Sequence, residues 1–270
     1  MNPSVHPHHR RHLRPAVRRV LTVTVVACIA VGGASFVLHS RSAVPAASAT
    51  STSSASAASE AESSLLTARQ AQAILDDPRM VLVNHTNKMP DDHTFTTKAC
   101  GSATAVNKTL QTVACNAFLE LQKAAAAENV TVWMQSGYRS VSYQTSLYEK
   151  KTNYYKQQGY DDAKAKEMAA AIVNPPGYSE HNCGLAADLN SPEHTGLDEG
   201  FENTAAFRWL CQHAGEYGFI LRYPKGAEEK TEITYEPWHW RYVGVENAAK
   251  INASGLCFED YIAALQQIAG

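Results

Sequence analysis

Several familiar catalytic signatures are missing from this 270-residue chain. No serine is followed by lysine three positions on, no G-x-S-x-G elbow occurs, and there is no H-E-x-x-H. These absences remove the S-x-x-K serine acyl-transfer site, the nucleophile elbow and the two-histidine zinc helix. Cysteine is scarce, six in all, and none stands in C-x-x-C, which excludes a four-cysteine zinc site. Fifteen Gly and eleven Pro are ordinary counts, so the chain is neither collagen-like nor wholly disordered. No internal repeat is present at any period. Charged residues make up only 19% and the formal net charge is −2.

That small net charge hides an uneven distribution. Residues 1–19 hold five arginines (Arg10, Arg11, Arg14, Arg18, Arg19) and no acid. Val20 to Leu38 is nineteen residues without a charge, about 28 Å as a helix and close to the hydrocarbon thickness of a bilayer. Arginines before an apolar segment stay cytoplasmic, so everything after Leu38 is expected outside. The length of the run favours an uncleaved transmembrane anchor. Cleavage as a signal peptide at Ala47-Ser48-Ala49 stays open, and a lipoprotein through Cys28 fits less well. Residues 39–63 are almost all Ser, Ala and Thr and read as a disordered linker. The folded domain is then 64–270, with 18 Lys+Arg against 24 Asp+Glu, or −6. An acidic domain argues against a nucleic-acid partner.

Within that domain, apolar spacing predicts a helix over 110–127, and the β-branched and aromatic run 130–135 predicts a strand. Helices are expected at 140–158, 161–173, 204–217 and 261–268, and strands at 185–189, 219–223 and 238–243. Asn174-Pro175-Pro176-Gly177 breaks a helix and opens a loop. The pattern implies an α+β fold: a small antiparallel sheet, helices packed on one side, and a site in a central cleft. Five cysteines lie beyond the apolar segment, so at least one thiol is unpaired; Cys100 with Cys115 offers a short loop closure.

Two stretches concentrate ligating and titratable groups, residues 179–188 (SEHNCGLAAD) and 236–241 (EPWHWR). His181 is expected on a loop and Asp188 one short strand away, facing the same cavity. Pro237 interrupts strand pairing, so a kink lets Glu236 and His239 point into one cleft. Two imidazoles and one carboxylate are the donor set of a catalytic zinc site with one position left for water. Glu236 is then the candidate general base. Taken alone, a His-x6-Asp spacing is more often turn chemistry, and Trp238 and Trp240 read equally as packing. His85, His93, His194 and His213 are read as non-ligands; Tyr143, Tyr148, Tyr154 and Tyr155 fit a substrate wall but read better as a solvated face.

The combination resembles the VanY-type D-alanyl-D-alanine carboxypeptidases, zinc peptidases of bacterial cell-wall peptides. The resemblance rests on SGYRS (136–140) with Gln144, PGYSEHNCGLAAD (176–188), the run 207–224 and EPWHWRYVG (236–244). It implies zinc ligands His181, Asp188 and His239, and Glu236 as base. It also implies Arg139 near the scissile carbonyl, Ser179 where the terminal carboxylate is held, and Gln144 as a further substrate contact. Trp238, beside the proposed ligand, is a candidate substrate contact. Asn182-Cys183 departs from the Gln-Thr expected there, and the departure leaves Cys183 open to a disulfide or a thiolate contact. The expected protein is a monomeric, membrane-anchored (or, if cleaved, secreted) zinc D,D-carboxypeptidase acting on peptidoglycan stem peptides. An L,D-carboxypeptidase using the same residues, and a non-catalytic wall-binding module, are the alternatives.

Overall fold

The computed structural model describes residues 66–101 and 108–270. The basic tail, the apolar segment and the Ser/Ala linker expected over 1–63 lie outside the described residues. Among the described residues no helix is long and apolar enough to cross a membrane.

The chain enters through helix α1 (Ala68–Leu75), which opens on a capping box: Gln70 N–H donates to the Thr67 hydroxyl while the Gln70 side chain accepts from Thr67 N–H. A two-stranded ladder follows, β1 (Thr97–Ala99) with β2 (Thr109–Gln111). Helix α2 (Thr112–Ala127) therefore begins two residues later than the apolar spacing predicts. The N–H of Gln111 donates to the Gly184 carbonyl, which holds this segment extended against the loop that carries His181. Cys115 on α2 is disulfide-bonded to Cys100.

The main sheet is antiparallel in the order β3 (Trp133–Ser136), β4 (Ala186–Asn190), β6 (His239–Tyr242), β5 (Phe219–Leu221). One face carries Met134, Ala187, Leu189, Trp240 and Phe219, all buried. Phe118 and Leu121 of α2 pack on it with Trp209 and Leu210 of α5 (Ala205–His213). Fully burying a side chain such as Phe118 or Leu121 is worth about 1.5–3 kcal/mol. Because side chains alternate along a strand, Asp188, His239 and Arg241 point to the other face. Near β5 that second face is closed by Ile220 and Val243 against α1, α7 (Val245–Ser254) and α8 (Phe258–Ala269). Arg241 is covered as well, and Ser136, Asp188 and His239 line a cleft.

Helices α3 (Val141–Gln157) and α4 (Asp162–Ala170) pack together beside this opening. Both start at side-chain caps: Ser140 accepts from Tyr143 N–H, and Asp161 from Lys164 N–H. A short helix α6 (Glu228–Thr231) precedes the Glu236 turn.

Candidate metal centre and active site

Asp188 and His239 are direct cross-strand partners between β4 and β6, on the face away from the core. Opposite residues of an antiparallel pair hold their Cβ atoms about 5 Å apart, so the pairing alone brings carboxylate and imidazole together. His181 comes from a 3-10 turn (Glu180–Cys183) just before β4. That turn ends on Gly184 at φ +70°, where an added Cβ would lie 2.9 Å from the Phe95 ring, so any other residue there is strained and crowded. His239 N–H donates to the Glu236 carbonyl across Glu-Pro-Trp-His, a turn with Pro237 at its second position. The turn, not a strand kink, carries Glu236 back over His239, with Oε2 to Nδ1 at 3.5 Å.

Hydrogen bonds fix which ring nitrogens face the centre. His181 Nδ1 is 2.7 Å from the Gly137 carbonyl, which can only accept, so this nitrogen carries the proton and Nε2 presents its lone pair. His239 Nε2 faces Glu180 Oε2 at 3.4 Å, which leaves Nδ1 turned inward. Asp188 Oδ1 lies 3.3 Å from both His181 Nε2 and His239 Nδ1. Zinc–donor bonds of about 2.0–2.2 Å in a tetrahedron require donors about 3.4 Å apart; both distances to Asp188 Oδ1 match this, and all three ligand atoms lie within 4.8 Å of one another. Asp188 Oδ1 is also a buried atom with no hydrogen-bond partner, as expected of an oxygen whose partner is a metal. The three residues are the one group of ligand type identified among the described residues. His85, His93, His194 and His213 stand apart from it.

Charged groups bracket the Asp188 carboxylate and the two imidazoles. Arg139 donates to Asp188 Oδ2 at 2.6 Å and to the Ser136 hydroxyl at 3.1 Å. A register shift between Met134 and Ser136 sets Ser136 opposite Asp188 and aims the loop that carries Arg139. Burial opposes the charge on Asp188, but His181 and Arg139 outweigh it and hold the carboxyl well below the usual range. Burial and Arg139 lower His181. In His239, burial works against protonation, yet the negative charge of the facing Asp188 and Glu180 carboxylates raises it to about 9. Burial pushes Glu236 up to about 7, with His239 opposing and Asp188 adding to the rise.

The floor of the site holds residues that motif reading passed over. Glu180, fully buried, accepts on Oε1 from Arg222 Nε at 2.8 Å and from Arg241 at 2.6 Å. Arg222 also pairs with Glu259, and Arg241 donates to the Arg79 and Val81 carbonyls. The available signal was an arginine inside each of two apolar strand patterns, since a strand buries such a charge only with a partner.

The remaining expected residues line one cleft of about 570 Å³ with the histidines: Arg139, Ser179, Gln144 and Trp238. Gln144 is buried and donates to the Asn174 carbonyl at 2.7 Å, while its Oε1 has no partner. Cys183 is in neither a disulfide nor the ligand group: its thiol donates to the Glu180 carbonyl. Asn182 ties the two loops by donating to the Arg139 carbonyl and accepting from Gly177 N–H. Tyr143 and Tyr154 are exposed, as a solvated face implies, and they also line the cleft.

The family model "VanY: D-alanyl-D-alanine carboxypeptidase" matches residues 107–245, which include every residue of this centre. The chain belongs to the VanY family of D-alanyl-D-alanine carboxypeptidases. The D-alanyl-D-alanine carboxypeptidase of Enterococcus faecalis is 31% identical over 265 residues, covering 94% of each chain. Among solved structures, the vancomycin-resistance D,D-pentapeptidase VanY from a VanB-type cassette, in complex with Zn(II), is 34% identical. It superposes with a TM-score of 0.59, covering 69% of this chain and 99% of that one. The LD-carboxypeptidase LdcB gives a TM-score of 0.60 at 30% identity, covering 70% and 88%. Membership of this VanY family and the His/Asp/His geometry identify the centre as a zinc site.

Proposed function

We propose that the protein is an exported zinc-dependent D,D-carboxypeptidase that removes the C-terminal D-Ala of peptidoglycan stem peptides. In this reading His181, Asp188 and His239 are the zinc ligands and Glu236 is the general base. The observation that carries it is the orphaned, buried Asp188 Oδ1 equidistant from two inward-facing imidazole nitrogens, with Glu236 alongside.

Zinc, when bound, supplies a Lewis acid for a water and for the scissile carbonyl. Glu236 takes a proton from the attacking water and delivers it to the leaving amine. Arg139, fixed in charge, faces the cleft and stabilises negative charge developing on the substrate carbonyl, while its second bond keeps Asp188 oriented. Ser179, buried at the cleft wall and not used as a cap of its own turn, binds the terminal carboxylate. Gln144 Oε1 accepts from a substrate N–H, and Trp238 forms an apolar wall. The requirement for a free carboxylate makes the enzyme an exopeptidase.

The segment 20–38 anchors this domain to the outer face of the cell membrane, with 39–63 as the spacer that lets it reach the wall. The test is release of D-Ala from penta- and tetrapeptide stems followed by mass spectrometry. The pentapeptide is expected to lose one D-Ala. Cleavage of the tetrapeptide alone would make the enzyme an L,D-carboxypeptidase, like LdcB.

A further inference from the structure

The cleft does not stop at the metal centre. Helix α3 runs along it, and Tyr143, Gln144, Leu147, Lys150, Lys151 and Tyr154 all line it. These positions recur every three to four residues and so make one face of the helix. The near end of that face adjoins Arg139, which touches Asp188. The far end carries two adjacent lysines.

Lys150 and Lys151 differ from most lysines of the domain. Lys88, Lys123, Lys156, Lys164, Lys166, Lys225 and Lys230 each pair with an acid. Neither Lys150 nor Lys151 has an acidic partner among the described residues. Lys151 Nζ instead lies over the Tyr154 and Tyr155 rings, 5.4 and 5.5 Å from their centroids. The acids lining the cleft are Asp188 and Glu236, both at the metal end, and Asp188 is already paired with Arg139. An acidic domain thus has a cleft whose outer half is cationic, a field that draws in and orients an anion.

We infer that Lys150 and Lys151 form a subsite for a carboxylate on the substrate's upstream side, which sets specificity for acidic stem peptides. This rests on the carboxypeptidase reading above. The seven residues from Gln144 to Lys151 rise about 10 Å along the helix. An extended peptide advances about 3.3 Å per residue, so the lysines meet a group about three residues before the scissile bond. Tyr154, half-exposed beside them, offers a ring against which the same residue packs. The pair is partly exposed, so its contribution is that of solvent-screened ion pairs, together about three- to tenfold in kcat/KM and weaker at high salt.

The experiment uses the full chain with zinc and two synthetic peptides that end in D-Ala-D-Ala. They differ only in a Glu or a Gln three residues before the scissile bond. The readout is the ratio of kcat/KM, acidic over neutral. A ratio of about three to ten is expected for the parent, falling to near one in the Lys150→Met/Lys151→Met double variant and in the parent at 1 M salt. The charge-reversed Lys150→Glu/Lys151→Glu variant is expected to favour a peptide with Lys at that position. A parental ratio of one, or a ratio that survives loss of both lysines, overturns the subsite while leaving the carboxypeptidase reading standing. Release of D-Ala from neither peptide overturns both.

Discussion

Glu180 Oε2 and His239 Nε2 face each other across 3.4 Å in the buried floor of the metal centre. Two arginines, Arg222 and Arg241, hold the other oxygen of the same carboxylate. The glutamate is thereby fixed as an acceptor, and the imidazole is oriented with Nδ1 towards Asp188.

Loss of that acceptor charge weakens both metal binding and the fold. Glu180→Gln is expected to lower zinc affinity by about 10–100-fold, the usual cost of losing a partner behind a ligand. It also leaves two buried guanidinium groups under-compensated, a loss of about 3 kcal/mol. Chelator competition and thermal unfolding measure the two effects. Parental zinc affinity in the variant would show that His239 does not depend on this contact.

Zinc binding should release protons. Without metal, His239 is held protonated up to about pH 9, whereas ligation needs the neutral ring. Affinity is therefore expected to fall as pH drops below 9, and titration calorimetry at pH 7 in buffers of different ionisation enthalpy should detect about one proton leaving His239. A binding enthalpy independent of the buffer would contradict this.

Acid should unfold the domain through the same network. The arginines and His239 outweigh burial and hold the Glu180 carboxyl far below its ordinary 4.5. A depressed carboxyl stabilises the fold at pH values above its unfolded value and loses that contribution as pH falls towards the folded one. Stability is expected to drop progressively below about pH 4.5, and Glu180→Gln should flatten that dependence, as read by denaturant titration between pH 3 and 7.

Reduction of Cys100–Cys115 should destabilise the domain without touching the site. The bridge spans 15 residues, and closing a loop of that size is worth about 3 kcal/mol. A fall in melting temperature with reductant, with zinc retained, is the expected result.

The parts of this molecule legible in the sequence are those whose determinants are close together along the chain. His181 and Asp188 flank one short turn, and Glu236 and His239 lie at the two ends of another, so spacing alone conveys their convergence. The Ser140 and Asp161 caps likewise mark where α3 and α4 begin. Glu180, Arg222 and Arg241 were hidden because they meet only through strand pairing and the docking of α8, across separations of 42 and 61 residues. The β1–β2 ladder has three residues per strand, too few for any periodicity to declare itself. Helix α7 carries no apolar periodicity, because its ten residues are mostly small or polar and few of them face the core. Helix α1 did carry a local signal, the Thr67–Gln70 capping box, ahead of its short apolar face.

As general base, Glu236 would transfer the proton beside a zinc ion it does not bind. The direct measurement is zinc content and D-Ala release for Glu236→Ala against the parent on one pentapeptide. One zinc per chain is expected in both proteins, with a fall in kcat of at least about 100-fold in the variant. Parental D-Ala release by a zinc-loaded Glu236→Ala protein would contradict it.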